Sequence, residues 1–175
     1  LDWVSLGPVV NSARVESIQV DEKNPGTMYV AFGSGNLWKT TNNGISWKPL
    51  LNDIPSIGIG DIAIAPSNKN VIYVGTGESL KKGRNFTMPG TGMYKSVDGG
   101  ESWEHIGLDD SWHIGEISVH PHDHNIVFVS VLGHFWSKNK NRGVYRTLDG
   151  GKTWNHVLAI DEKTGSNDIV ISKSD

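Results

Sequence analysis

One eight-residue pattern constrains this chain more than anything else, because it occurs three times. It reads Thr40-Thr41-Asn42-Asn43-Gly44-Ile45-Ser46-Trp47, then Ser96-Val97-Asp98-Gly99-Gly100-Glu101-Ser102-Trp103, then Thr147-Leu148-Asp149-Gly150-Gly151-Lys152-Thr153-Trp154. The shared form is Ser/Thr-x-Asp/Asn-x-Gly-x-Ser/Thr-Trp. Asp or Asn folds its side chain back onto nearby backbone N–H groups, and Gly supplies the positive φ that a tight turn needs. The hydroxyls bond locally, and the Trp lays a large apolar ring on a neighbouring sheet. The residues therefore predict a hairpin turn with a built-in anchor. As turn-formers, Asn42, Asp98 and Asp149 are structural groups first and candidates for catalysis or metal binding second.

The flanks repeat with the boxes. Ile18-Gln19-Val20, Ile62-Ala63-Ile64 and Ile117-Ser118-Val119 have the two-residue alternation of a strand, and each runs into a polar turn. Met28-Tyr29-Val30, Ile72-Tyr73-Val74 and Val127-Phe128-Val129 follow as a second strand. A connection of variable length leads to a third strand entering the box, at Leu37, Met93 and Val144. Trp47–Leu50, Trp103–Ile106 and Trp154–Val157 leave it as a fourth. Successive repeats start 44 and 55 residues apart, the period of four-stranded propeller blades. The expected class is all-β, with blades at 15–51, 60–108 and 115–159. Residues 2–7, with Trp3, match an outer closing strand, and 167–173 match the opening of a further blade. Three blades lie below the usual ring of about four to eight, so the chain reads as part of a larger propeller or as a unit that rings up with further copies of itself. Either way, unpaired sheet edges are expected at both ends.

With a formal net charge of −3 and no apolar run of membrane-spanning length, the sequence offers neither a basic field for nucleic acid nor a membrane span. The absence of Cys excludes disulfides and thiolate metal sites. His120, His122 and His124 alternate as metal ligands do, but they fall in a turn between first and second strands with no acidic support. No metal and no cofactor are expected.

The boxes, together with Trp3, Gly7-Pro8, Gly75-Thr76-Gly77-Glu78, His113-Ile114-Gly115 and Leu132-Gly133-His134-Phe135-Trp136 followed by Arg142-Gly143-Val144-Tyr145, resemble the Asp-box (BNR) propeller repeats. The resemblance is closest to bacterial secreted proteins with a sortilin-like N-terminal propeller. It implies a secreted protein, in an extracellular, periplasmic or cell-surface location. It also implies either a binding module for glycans or for proteins and peptides, or a glycoside hydrolase of sialidase or xyloglucanase type. Sialidases carry an Arg-Ile-Pro segment where Arg14-Val15-Glu16 stands here, and xyloglucan-cleaving relatives place an acid where this chain has Gly33-Ser34-Gly35-Asn36.

Strand alternation puts the boxes on one face and the long connections on the other, and such connections are where binding groups gather. That face is expected to hold Arg14, Glu78, Arg84, Trp112, His113, His134, Trp136 and Arg142. Aromatic rings beside guanidinium and carboxylate groups suit a carbohydrate or a peptide. A glycosidase needs two carboxylates roughly 5–9.5 Å apart. Glu78 is the candidate acid, among Asp53, Asp61, Asp109, Asp110 and Glu116, with no pair singled out. Arg84 and Arg142 have the plainer reading of groups that fix loops by binding carbonyls or acids, and Glu78 that of a group that caps or pairs locally. Asn85-Phe86-Thr87 is a glycosylation sequon, meaningful in a eukaryotic secretory host.

Overall fold

Period-two alternation and three strong turns produce three antiparallel sheets of four strands each. A computed structural model describes residues 14–56, 58–79 and 87–172. The first sheet holds β1 (Val15–Val20), β2 (Met28–Phe32), β3 (Leu37–Thr40) and β4 (Lys48–Pro49) in sequential order. The second holds β5 (Ile59–Ile64), β6 (Ile72–Thr76), β7 (Met93–Ser96) and β8 (Glu104–His105). The third holds β9 (Ile114–Val119), β10 (Val127–Val131), β11 (Gly143–Thr147) and β12 (Asn155–Leu158). Register repeats with them: Ile18 faces Val30, Ile62 faces Val74 and Ile117 faces Val129. The chain is all-β and forms part of a propeller.

The innermost strands β1, β5 and β9 lie side by side, and each carries a bulge near its start. The extra residues are Glu16, Gly60 and Gly115, one per blade. A bulge bends the strand and re-aims what precedes it. At Gly60 it also allows contact between blades, because a Cβ there would run into the Ile114 carbonyl oxygen of the next inner strand.

The boxes close as their residue types require. In the second blade the Ser96 hydroxyl donates to Asp98 Oδ1 at 2.8 Å and accepts from the Gly100 N–H at 2.8 Å. Asp98 then accepts from the Ser102 N–H at 2.9 Å and the Ser102 hydroxyl at 2.6 Å. Thr147, Asp149, Gly151 and Thr153 repeat every one of these bonds. In the first blade Thr40, Asn42, Gly44 and Ser46 do the same, except that the Asn42 amide donates to Ser46 Oγ at 2.9 Å. These hydrogen bonds hold the Asp98 and Asp149 carboxyls well below the usual carboxylate range. Both are used up by the turn.

The core lies between the sheets. Tyr29, Ala31 and Leu37 of the first blade pack against Ile62, Ile72 and Val74 of the second, with Trp103 at the margin. Ala63, Tyr73 and Met93 of the second pack against Ile117, Val127 and Val129 of the third, with Trp154 at the margin. The middle blade is therefore buried on both faces: every residue of β5 and β6 is buried. Among the described residues, the two outer blades each pack on one side only, and Val15, Ile18 and Val20 are exposed at one end and Val157 and Leu158 at the other. The expected exposed edges are thus exposed faces, because blades stack face to face while their hydrogen-bonding edges line the axis and the rim.

Two sequence expectations end differently. The proposed closing strand at 2–7 lies outside the described residues. Asp168–Ile171 carries no strand pairing, since a ladder needs a partner strand and none follows among the described residues. The segment still runs beside β9, where the Ile171 N–H donates to Ser118 Oγ at 3.1 Å.

Candidate functional site

The bulges bring the starts of all three inner strands to one place on the long-connection face. Arg14, Val15 and Glu16 from the first blade, Asp61 and Ser79 from the second, and Gly115 and Glu116 from the third line a cavity of about 450 Å³. Ser17, Asp61 and Glu116 occupy the same register in their blades, each directly before the inner isoleucine. Asp61 is 5% exposed and accepts from the Ile117 N–H of the next blade at 2.8 Å. Burial pushes its carboxyl up to about 6, and hydrogen bonds from Ser17, Ile117 and Ile62 oppose only part of that rise. The Ser79 hydroxyl donates to Glu16 Oε2 at 3.0 Å. Three carboxylates and one guanidinium thus share the cavity.

Glu78 lies beneath the cavity and does not line it. It is 1% exposed and ion-paired with Arg14. Among the described residues neither of its carboxylate oxygens has an aligned hydrogen bond, and the Arg14 charge compensates its burial. Its backbone carbonyl contacts His113 Nδ1 at 3.1 Å. His113 is fully buried and stacks on Phe135 at 4.2 Å, and desolvation pushes its imidazole down to about 4. It is neutral at physiological pH.

A second group gathers on the rim of the same face. Leu108 and Trp112 flank the 3₁₀ turn Asp109–Ser111, and both are non-glycine residues at positive φ, 58° and 57°. That conformation is uncommon for bulky residues. The Trp112 carbonyl explains how it is held: it accepts from the Gly90 N–H at 2.6 Å. The Trp112 ring, 36% exposed, stacks on His134 at 3.9 Å. Asp110 accepts from His134 Nε2 at 2.8 Å and from the Asn141 amide at 2.7 Å. A cavity of about 320 Å³ lies there between Asp109, Asp110, Asn141 and Tyr145.

Arg142 takes the plainer of its two readings. Its guanidinium donates to the carbonyls of Leu132 (2.6 Å), His134 and Ser137 (3.2 Å), tying the loop that carries Trp136. Trp136 itself is 62% exposed. Arg84, Asn85 and Phe86 lie outside the described residues. His120 also has a structural role, its Nδ1 accepting from the N–H groups of His122 and Asp123. No group of three His or acidic residues placed to hold a metal occurs among the described residues.

Sequence reasoning expected Arg14, Glu78 and His113 on one face and counted Asp61 and Glu116 among its acids, but it singled out no pair and did not name Glu16 or Ser79 as site residues. The signal was available: aligning the blades on Ile18, Ile62 and Ile117 puts Ser17, Asp61 and Glu116 in one column.

Comparison with known proteins matches this architecture. The family described as sortilin, neurotensin receptor 3 (Sortilin-Vps10) matches residues 35–167. The chain belongs to the Sortilin-Vps10 family. Xyloglucanase Xgh74A of Acetivibrio thermocellus is 24% identical over 180 residues, covering 82% of this chain and 20% of the enzyme. The chain therefore spans about a fifth of the length of the curated relatives it matches. Among solved structures, an ancestral GH74 enzyme superposes with a TM-score of 0.71 at 21% identity, covering 96% of this chain and 21% of that one. YCF48 bound to D1 peptide superposes with a TM-score of 0.58 at 17% identity, covering 86% and 41%. At these identities the structural likenesses speak for the fold alone. No helix among the described residues is long and apolar enough to cross a membrane.

Proposed function

We propose that this chain is a ligand-binding segment of an Asp-box propeller, taking a carbohydrate or a peptide on its long-connection face. The observation that carries the reading is the 450 Å³ cavity in which the inner strands of three blades meet. Its acidic side chains accept hydrogen bonds, which suits the hydroxyl donors of a sugar or the N–H donors of a peptide. On the rim of the same face, Trp136 and the Trp112–His134 stack offer exposed rings, and in the cavity Arg14 offers a fork of donors. Glu78 and His113 act below as positioning residues, one holding Arg14 and the other Phe135. Support for the two ligand classes comes from relatives: one is named a xyloglucanase and another is bound to D1 peptide. The reading carries with it an extracellular, periplasmic or cell-surface location.

A specific observation favours hydrolysis as a second reading. Asp61 is a carboxyl held partly protonated near neutral pH, in one cavity with Glu16 and Glu116. An acid raised by burial with other carboxyl groups beside it is the arrangement from which a general acid and its partner are drawn. Further blades would then complete the site.

Titration calorimetry with xyloglucan oligosaccharides and with basic, neutral and acidic peptides tests both readings, alongside a turnover assay. The binding reading expects one class to bind, with affinity reduced at least about tenfold in Arg14→Ala. Turnover lost in Asp61→Asn with affinity kept selects the hydrolase. A protein carrying all its blades that neither binds nor cleaves any of these removes both.

A further inference from the structure

The two joints between blades are built from the same parts. In the first blade Tyr29 and Lys39 are cross-strand partners, with Lys39 Nζ 5.5 Å from the ring centroid. Both donate to one acceptor on the next blade, the Gly99 carbonyl in the second box, at 3.1 and 2.8 Å. In the second blade Tyr73 and Lys95 are paired in the same way, with Lys95 Nζ 5.4 Å from the ring. Lys95 donates to the Gly150 carbonyl of the third box at 3.0 Å, and Tyr73 to the nearby His124 carbonyl at 2.8 Å. An apolar residue directly after the fourth strand completes each joint. Leu50 lies under the second box and Ile106 under the third, where the Trp154 indole donates to the Ile106 carbonyl at 2.7 Å.

The third blade presents the same three positions with no box turn against them among the described residues. Phe128 and Arg146 are the cross-strand pair at the Tyr–Lys position. Val157 stands where Leu50 and Ile106 stand and is 43% exposed. Arg146 Nε is buried without a hydrogen-bond partner among the described residues. The chemistry is conserved although the residues differ. Phe has lost the hydroxyl that Tyr29 donates, and Arg replaces a single ammonium with a fork of five N–H donors. Two donors that the first blade draws from two side chains can here come from one.

We infer that Phe128, Arg146 and Val157 form a receptor for the box turn of a further blade, with Arg146 gripping the carbonyl of that turn's left-handed residue. The occupant is defined by its chemistry. It is a Ser/Thr-x-Asp/Asn-x-Gly-x-Ser/Thr-Trp turn whose Gly passes over Val157 and whose Trp covers it. The blade that carries it begins with residues 167–172. The Asn167 carbonyl already lies over Gly115 as the Ile114 carbonyl lies over Gly60, so this segment sits against β9 as β9 sits against β5. A second copy would have to offer its first box instead. There the Trp47 indole is turned back onto its own Gly44 carbonyl at 3.1 Å, unlike Trp154, which reaches to the neighbouring blade. The inference is independent of what the long-connection face binds.

The test compares the 175-residue chain with a longer one in which residues 115–166 occur twice in tandem, so that a box follows the third blade. In stacked repeats, stability grows by neighbour interfaces. The longer chain is expected to melt higher, and Arg146→Ala in its first copy of the blade to lower that midpoint by about 4 °C. The same substitution in the 175-residue chain is expected to move the midpoint by less than about 1 °C. Phe128→Tyr with Arg146→Lys rebuilds the Tyr–Lys pair and is expected to restore the midpoint of the longer chain. Equal losses in both chains, or no loss in either, overturn the receptor. So does a longer chain that gains no stability. Sedimentation showing a dimer of the 175-residue chain that Arg146→Ala dissolves would assign the face to a second copy and overturn the further blade.

Discussion

The two faces of this propeller segment solve opposite problems. On the box face, three turns repeat one set of bonds, and the hydroxyls and the Asp or Asn side chains close them within eight residues. On the long-connection face the same strand positions carry different residues: Ser17, Asp61 and Glu116 in one register, Glu16, Gly60 and Gly115 in the next. Groups there bond across blades, as Asp61 does to Ile117, or sit buried with one ionic partner, as Glu78 does with Arg14. Repetition marks what holds the blades. Departure from repetition marks what the blades hold.

The largest expected effect would break that division, because it comes from the site side and acts on stability. Gly60→Ala drives a Cβ into the Ile114 backbone, which no side-chain rotation relieves. It should cost about 3 kcal/mol or more in urea unfolding. A tolerated alanine would mean that the inner strands are free to move apart. Next, Ser96→Ala removes the hydroxyl that serves both Asp98 and the Gly100 N–H, and Thr147→Val removes its counterpart. Each should cost about 2 kcal/mol. Similar losses at the two boxes confirm a purely structural ring, while a large difference between them would undo the claim of equivalence.

A third expectation concerns pH and sharpens the contrast, since the exposed box carboxyls stay ionised while Asp61 does not. With a folded value near 6 against 3.8 unfolded, Asp61 retains protons that the unfolded chain has released. Its contribution is favourable below about pH 4 and is lost as pH rises through 6. His113, pushed down to about 4 from 6.5, acts in the reverse sense, and its contribution is lost as pH falls from 6.5 towards 4. The two slopes oppose each other in the native protein. Asp61→Asn should raise stability at pH 7 by about 1–2 kcal/mol and leave the His113 slope exposed, so that the variant weakens on acidification. Unfolding curves from pH 4 to 7 read this directly. An Asp61→Asn protein whose stability does not change with pH would show that His113 is less buried than the packing indicates.

The smallest effect on stability falls at the rim. Trp136→Ala touches a ring that is mostly in solvent and should change stability by less than about 0.5 kcal/mol, while weakening ligand binding in calorimetry. A large loss of stability there would move Trp136 from the binding surface to the scaffold.

Much of this was legible in the residues alone. Asp98 with Ser96, Gly100 and Ser102 encodes its turn within eight positions, so three copies announced three hairpins, their faces and the blade class. Arg142 could be read as a fixer of loop carbonyls or acids from its place in a long connection, and the structure gives it three carbonyls. The convergence of Glu16, Asp61 and Glu116 was not legible, although the residues were in plain view. Local sequence fixes hydrogen bonds that close within a turn, because those partners are brought together by the turn itself. The cavity depends on a one-residue bulge in each inner strand and on how closely Gly60 lets the next blade approach. Those are distances between segments more than forty residues apart. Only the stacking of the blades sets such distances, and with them the burial that pushes Asp61 up, the ion pair that holds Glu78, and the face that leaves Arg146 open.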